Sequence, residues 1–407
     1  MGSGTIDRSH EVLILGACPT GLAAIRNIGR QGVKIYAVDP NPVAVGFFSR
    51  YCRRLGVYDP SRHHDKLLEA MLAYGRRAAV KPVLIITSDV YLSFVAEHYR
   101  ELQEYYLFHE LTPEIIERFL NKKAFYKLCR EHNINAPATY FIDENENIEQ
   151  IASQISYPCI IKPIYIHVWD KVFKGIKAFV NRDGDELIAN FRKVKACGLQ
   201  DNVMFQEIVD GDDKDIFIYA ACFTSDSRPA GTFTGRKIRQ FPPGFGVTVM
   251  AVGEDNPEFK KMCTDFLREI DFCGLCDVEF KRDSRTGELK IMEINPRVGR
   301  WYGVVESCGL NLPLTAYLDL TGQSLPEGAI QKPGRRWVHL FRDFLSSVFY
   351  IRGGKLTVRE WLATLRGQKK WAIYASDDPM PFFFSFLGLV YLILKSMRQM
   401  LRAKTPG

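Results

Sequence analysis

The 407-residue chain has no long low-complexity tract and no internal repeat, so it is not a repeat array or a disordered polymer. Gly2 to Glu11 is polar, which leads to the expectation of no apolar signal segment there. The chain contains ten cysteines but no metal-ligand spacing among them. The closest pair, Cys273 and Cys276, is a lone CxxC with no second half, and reads as small buried thiols at a strand edge. Free thiols without an export signal lead to the expectation of a reducing, cytoplasmic setting. No Ser-His or Cys-His arrangement suggests an enzyme nucleophile. The eight histidines are scattered, and His63-His64 in SRHHDK reads as an exposed polar pair rather than a metal site.

What is present is an ordinary globular balance, with 46% hydrophobic and 25% charged residues. The length suits two or three packed domains. The net charge of +7 is unevenly placed. Residues 331–407 hold 14 Lys and Arg against 4 Asp and Glu, which leaves 40 against 43 in the rest. A basic tail on a slightly acidic body argues against a general nucleic-acid binder, whose basic residues would be spread over the body.

Short apolar runs alternate with helical stretches at the start: Glu11–Leu15, a helix over Leu22–Gln31, Val33–Val38 and Val83–Thr87. Strands alternating with helices predict a doubly wound parallel α/β domain over residues 11–120. Beyond it the pattern mixes helices (Lys122–Glu131, Glu186–Val194, 257–271) with strands (Thr139–Ile142, Cys159–Lys162, Val203–Val209, Asp215–Phe223). Phe259, Met262, Phe266, Leu267 and Ile270 share one face of the 257–271 helix. Cys276–Lys281 and Glu288–Ile294 flank the turn Arg282–Gly287 and predict an antiparallel pair.

The first turn, Gly16-Ala-Cys-Pro-Thr-Gly21, followed by Asp39 after the next strand, invites a dinucleotide reading. Cys18 stands where the fingerprint needs its middle glycine, so backbone approach to a pyrophosphate is poor. A helix-opening turn whose amides face a small anion fits better.

The most specific signal is the hairpin. Side chains alternate along a strand, so Glu293 and Asn295 share a face, and a paired Glu279 can project to the same side. Two carboxylates and an amide oxygen make an oxygen-only site suited to magnesium bridging phosphates. Arg297 follows, placed to clamp developing phosphoryl charge. Glu279 lies within VEF and Glu293 within IME, apolar settings that argue against ordinary surface charges.

The segment DVEFKRDSRTGELKIMEINPRVGRWYG (277–303) resembles the metal-binding segment of the ATP-grasp superfamily. Four further motifs follow its order and spacing over residues 11–325. Lys122, after Asn121, and Lys162 in CIIKP look like the nucleotide-binding lysines. Gln206, Glu207, Ile208 and Val209 look like the adenine hinge, with Val209 giving backbone contacts and Glu207 or a nearby acid, Asp215, meeting the ribose. Lys237 or Arg239, in GRKIR, looks like the basic group at the γ-phosphate.

GRKIRQFPPGFGV with NPRVGRWYG looks most like the carboxylate–amine ligase branch that includes D-aspartate ligase. The resemblance implies ATP and Mg2+ (or Mn2+), with Glu279, Glu293 and Asn295 as metal ligands and Arg297, Lys237 and Arg239 as catalytic groups. It also implies small carboxylate and amine substrates, joined through an acyl phosphate. It predicts an ATP-grasp domain over 121–325, with 135–205 as its mobile lid. The stretch Ile164–Gly175 departs from the family's Gly/Ser-rich phosphate loop and carries bulky aromatics instead. That departure motivates one rival reading, a catalytically silent nucleotide-binding scaffold. A second rival is a bicarbonate-using carboxylase.

The segment 326–407 is basic and aromatic, and its run Met380–Leu394 holds 15 residues without charge. A spanning helix needs about 20. The run therefore reads either as a helix buried in core or in a homodimer contact, or as an in-plane anchor on an anionic membrane surface through 380–404. The second reading would place the protein peripherally on the inner face of the membrane.

Overall fold

The computed structural model describes residues 6–110, 112–142, 147–244, 246–326 and 328–386, without the side chains of residues 166 and 167. The chain divides into two compact units. The first comprises residues up to Pro113, Tyr219–Asp277 and the chain from Asn295 on; the second comprises Glu114–Ile218 and Val278–Ile294.

The N-terminal part of the first unit is a four-stranded sheet of β1 (Val12–Leu15), β2 (Ile35–Val38), β3 (Cys52–Gly56) and β4 (Val83–Ile86), in the order β3-β2-β1-β4. Every pair is parallel. All four residues of β1 are fully buried, as expected of a parallel strand covered on both faces.

The turn after β1 explains its own glycines. Gly16 has φ +104°, and a Cβ there would stand 2.2 Å from Thr87 Oγ1. A Cβ on Gly21 would lie 1.8 Å from the Gly16 carbonyl oxygen. Asp39 is buried, and its carboxylate accepts from Ala17 N at 2.7 Å and from Asn41 N at 2.8 Å. Its oxygens accept from the amides of the turn, where a dinucleotide reading would have them accept from a ribose hydroxyl.

The second unit contains β5 (Thr139–Tyr140), β6 (Cys159–Pro163), β7 (Phe179–Asn181) and β8 (Val203–Glu207), in the order β5-β8-β6-β7. All its pairings are antiparallel. Helices Ile148–Gln154 and Gly184–Ala196 contribute to a core that includes Ile151, Cys159, Ile161, Leu187, Val194 and Phe205. Trp169, from the atypical stretch, is fully buried in the same core and packs on Phe173 and Phe179 at centroid distances of 4.5 and 5.5 Å. The bulky aromatics of 164–177 thus anchor their loop. Lys171, Lys174, Gly175 and Lys177 remain exposed.

A third sheet is formed by β9 (Ile216–Phe223), β10 (Pro229–Phe241), β11 (Val247–Gly253), β12 (Gly274–Arg282), β13 (Leu289–Asn295), β14 (Arg336–Val338) and β15 (Lys369–Trp371). Its order is β13-β12-β9-β10-β11-β14-β15. β9 starts one residue later than the apolar pattern suggests, because Asp215 ends a short 3-10 turn and accepts from Asp212 N at 2.8 Å.

The basic C-terminal segment is built into the first unit as far as Asp378. β14 pairs antiparallel with β11, and β15 pairs parallel with β14. Asp378 is buried and bonds Arg26 Nε at 2.9 Å, Ser49 Oγ at 2.7 Å and Arg50 N at 2.9 Å. Residues 380–386 are helical, and the rest of the 380–394 run lies outside the described residues. Among the described residues, no helix is long and apolar enough to cross a membrane.

Candidate active site

In the second unit, strand alternation places Lys162. Cys159 and Ile161 face the core, so Ile160 and Lys162 point to the opposite side, beside Gln206 and Met204 of β8. Helix Lys122–Glu131 begins with Asn121 as its cap, accepting from Lys123 N at 2.9 Å, which sets Lys122 in the first turn. Lys122 Nζ is 3.7 Å from Glu293 Oε2. Burial and then the charge of Lys122 push the Lys162 ammonium down to about 8, while Glu293 and Glu279 oppose that shift. Two lysines and the two hairpin carboxylates therefore form one electrostatic cluster.

The hinge region is more occupied than its sequence suggests. Glu207 receives Ala138 N at 3.0 Å and forms an ion pair with Lys290. Its carboxylate is engaged inside the protein. Gln206 is buried and donates to Thr139 Oγ1 at 2.9 Å. The Ile208 amide donates to the Pro158 carbonyl at 3.2 Å, and the Val209 carbonyl accepts from Lys281 Nζ at 2.8 Å. Burial lowers the Lys281 pKa, and Asp213, Asp210, Asp215 and Asp212 oppose it. The acidic run 210–215 thus surrounds the lysine that fixes the hinge.

In the first unit, Lys237 and Arg239 are both buried on β10. A register shift lies between them: Lys237 pairs with Ala251 and Arg239 with Met250. Such a bulge breaks the two-residue alternation, so the two groups need not share a face. The Arg239 guanidinium bonds both Asp343 oxygens, at 2.8 and 3.0 Å, with both side chains almost fully buried. This corrects the expectation of a phosphate-facing Arg239, whose charge is already neutralised by Asp343. Arg297 donates to Asn295 Oδ1 at 2.9 Å and forms an ion pair with Asp89.

Three further groups were not singled out from the sequence. Burial and then Arg342 lower the Arg300 pKa, and Arg297 acts in the same direction. Buried His339 is pushed down to about 4 by burial and then by Arg342 and Arg300. Its Nδ1 has no hydrogen-bond partner among the described residues. Arg300 was visible in NPRVGR, but nothing local linked it to residues forty positions later.

Glu279, Glu293 and Asn295 offer oxygen donors only. Oxygen donors of this kind suit a hard cation such as magnesium or manganese, and the two glutamates both act on Lys162.

Residues 252–326 match the family described as carbamoyl-phosphate synthase L chain, ATP binding domain. The chain is 28% identical to D-aspartate ligase from Enterococcus faecium over 240 residues, covering 57% of this chain and 57% of that protein. It therefore spans little more than half the length of that relative. Its fold is similar to N5-carboxyaminoimidazole synthetase from Staphylococcus aureus (TM-score 0.61, 14% identity, 80% of this chain and 81% of that one). It is also similar to L-amino acid ligase from Bacillus licheniformis (TM-score 0.55, 15% identity, 77% and 75%).

Proposed function

We propose that the chain is an ATP-grasp enzyme, an ATP-dependent ligase joining a carboxylate to an amine, with an amino acid as one substrate. The observation that carries this reading is the cluster of Lys122 and Lys162 with Glu279 and Glu293. The similarity to D-aspartate ligase supports the amino acid.

A carboxylate resists attack by an amine because oxide is a poor leaving group. In the proposed reaction a carboxylate oxygen attacks the γ-phosphorus of ATP, and the bond to ADP breaks. The amine nitrogen then attacks the acyl phosphate carbonyl, phosphate leaves, and the amine loses a proton as the amide forms. Such a reaction depends on positioning and charge neutralisation. Lys122 and Lys162 neutralise phosphate charge, and Lys237 and Arg297 stabilise the transferred phosphoryl group. Magnesium held by Glu279, Glu293 and Asn295 supplies further charge neutralisation when bound. We assign the Arg300, His339 and Arg342 cluster to a substrate carboxylate, because two neighbouring guanidiniums beside a buried imidazole favour an anion.

The test is oxygen-18 in the carboxylate substrate, which should appear in the released phosphate alongside ADP. Release of AMP and pyrophosphate would mean adenylation and overturn the mechanism. Turnover with bicarbonate and no dependence on an amine would favour a carboxylase.

Attachment to an anionic membrane surface is part of the same proposal. Phe344, Phe349, Phe383 and Phe386 are each at least half exposed. Three of the four acids after residue 331, Asp343, Asp377 and Asp378, are already paired with Arg239, Arg30 and Arg26, so the segment's basic residues dominate its surface.

A further inference from the structure

Another cluster of chemistry-bearing side chains lies in the first unit, among residues given no role in the ligase reaction. His64 opens helix His64–Arg77, Glu97 ends helix Asp89–Glu97, and His98 follows it. His64 Nε2 is 3.3 Å from His98 Nε2 and 3.2 Å from Glu97 Oε2. All three ligand atoms lie within 4.8 Å of one another.

Those separations can be compared with what a shared ion demands. Two ligands bound tetrahedrally at about 2.0–2.1 Å stand roughly 3.3–3.4 Å apart. Both edges that meet at His64 Nε2 come within about 0.2 Å of that requirement. Hydrogen bonding explains the arrangement less completely. A single imidazole nitrogen either donates one hydrogen or accepts, so His64 Nε2 cannot donate to His98 and Glu97 with equal strength.

The far side of each ring is also arranged as a metal ligand's would be. His64 Nδ1 lies 3.3 Å from Asp65 Oδ1, and His98 Nδ1 lies 3.7 Å from Glu101 Oε1. A carboxylate on the second nitrogen orients a ligating histidine and raises its basicity. Both rings rest against buried Phe94, at centroid distances of 5.1 and 4.9 Å, which limits their rotation. Glu97 stands at a helix C-terminus, where the backbone dipole disfavours a negative charge. A cation there would offset that cost.

We propose that His64, Glu97 and His98 form a binding site for a borderline divalent cation of the zinc class. Two imidazole nitrogens and one carboxylate oxygen suit zinc better than magnesium or calcium, which favour all-oxygen sets. The three ligands leave the fourth position to water. The His64 side chain is 37% exposed and that of Glu97 63%, so the ion can enter from solvent. Its role is a clamp that joins the start of one helix to the end of another.

The experiment uses the full chain, stripped with a chelator and titrated with Zn2+ alone. Wild type should take up one equivalent that the His64→Ala/His98→Ala double variant lacks. Asp65→Asn should weaken that equivalent by about tenfold, as expected for an outer partner. Zn2+ should raise the melting temperature of wild type and leave the double variant unmoved. Because the chain has ten cysteines, Co2+ provides the decisive spectrum: tetrahedral d–d bands without thiolate charge transfer support the site. Equal zinc uptake by wild type and the double variant, or cobalt–thiolate absorption for the tight equivalent, would overturn it. If the double variant fails to fold, His98→Gln is measured in its place, and unchanged uptake there refutes the proposal equally.

Discussion

The ammonium of Lys122 stands 3.7 Å from Glu293 Oε2, a cation in the first turn of a helix held beside a carboxylate of β13. Their side chains are 21% and 41% exposed, so as an ion pair they contribute little to stability. The value of the pair lies in what approaches it. Nucleotide phosphate would draw on Lys122 and a metal on Glu293, and each would replace the partner that the other gives up.

Glu293→Gln keeps the shape of the side chain and removes its charge. The variant should melt close to wild type, while ADP release falls by roughly a hundredfold or more, the scale of losing one electrostatic catalytic contact. Steady-state ADP release with rising Mg2+, measured beside thermal melts, checks both halves. Near-normal turnover by a folded variant would sink the metal assignment.

Lys162 should give nucleotide binding an alkaline limit. Burial and Lys122 lower its pKa to about 8, so it is charged at neutral pH and loses its proton above that value. Phosphate favours the charged form, so affinity should fall by up to about tenfold per pH unit above 8. The sign for stability is opposite. Below 8 the fold carries the whole cost of burying the ammonium, and that cost fades as pH rises from about 8 toward 10.5. ADP titrations across this range should show the decline, and Lys162→Arg should flatten it, because a guanidinium stays charged.

Arg300→Ala should raise KM for the carboxylate substrate by at least about tenfold, the equivalent of roughly 1.4 kcal/mol, while KM for ATP moves little. Initial rates against each substrate separate the two. An equal loss against ATP would place Arg300 with the phosphates.

The Arg26–Asp378 pair should bear on the fold itself. Its side chains are only 3% and 1% exposed, and Asp378→Ala would leave Arg26 buried and uncompensated. A loss of about 3–5 kcal/mol is expected from urea unfolding. A chain truncated after residue 386, which keeps Asp378, should fold normally. It should bind anionic liposomes at low salt less tightly than the full chain if the remaining apolar run and its basic end residues insert. Equal binding by both chains, or none by either, would remove the anchor.

Much of the candidate site was legible because its signals are local. Strand alternation marked Glu293 and Asn295, and the Asn121 cap marked the helix that carries Lys122. The parallel sheet at the start was equally readable, since β1 is apolar throughout and hemmed in by turn residues.

The tertiary structure decided what depends on partners far away in the chain. Arg239 and Lys237 are two residues apart and look interchangeable, yet a bulge and Asp343, 104 residues beyond Arg239, assign Arg239 to the core. Glu207 looked available until Lys290 took it, 83 residues later. His64, a polar pair member by its neighbours, meets His98 only through packing of two helices. Sequence alone determined which residues could carry charge, fill a core or start a helix, because those properties belong to a side chain and its near neighbours. Which charges are neutralised, and which nitrogens meet, follows from long-range packing, because Coulomb and hydrogen-bond partners are chosen by distance in space.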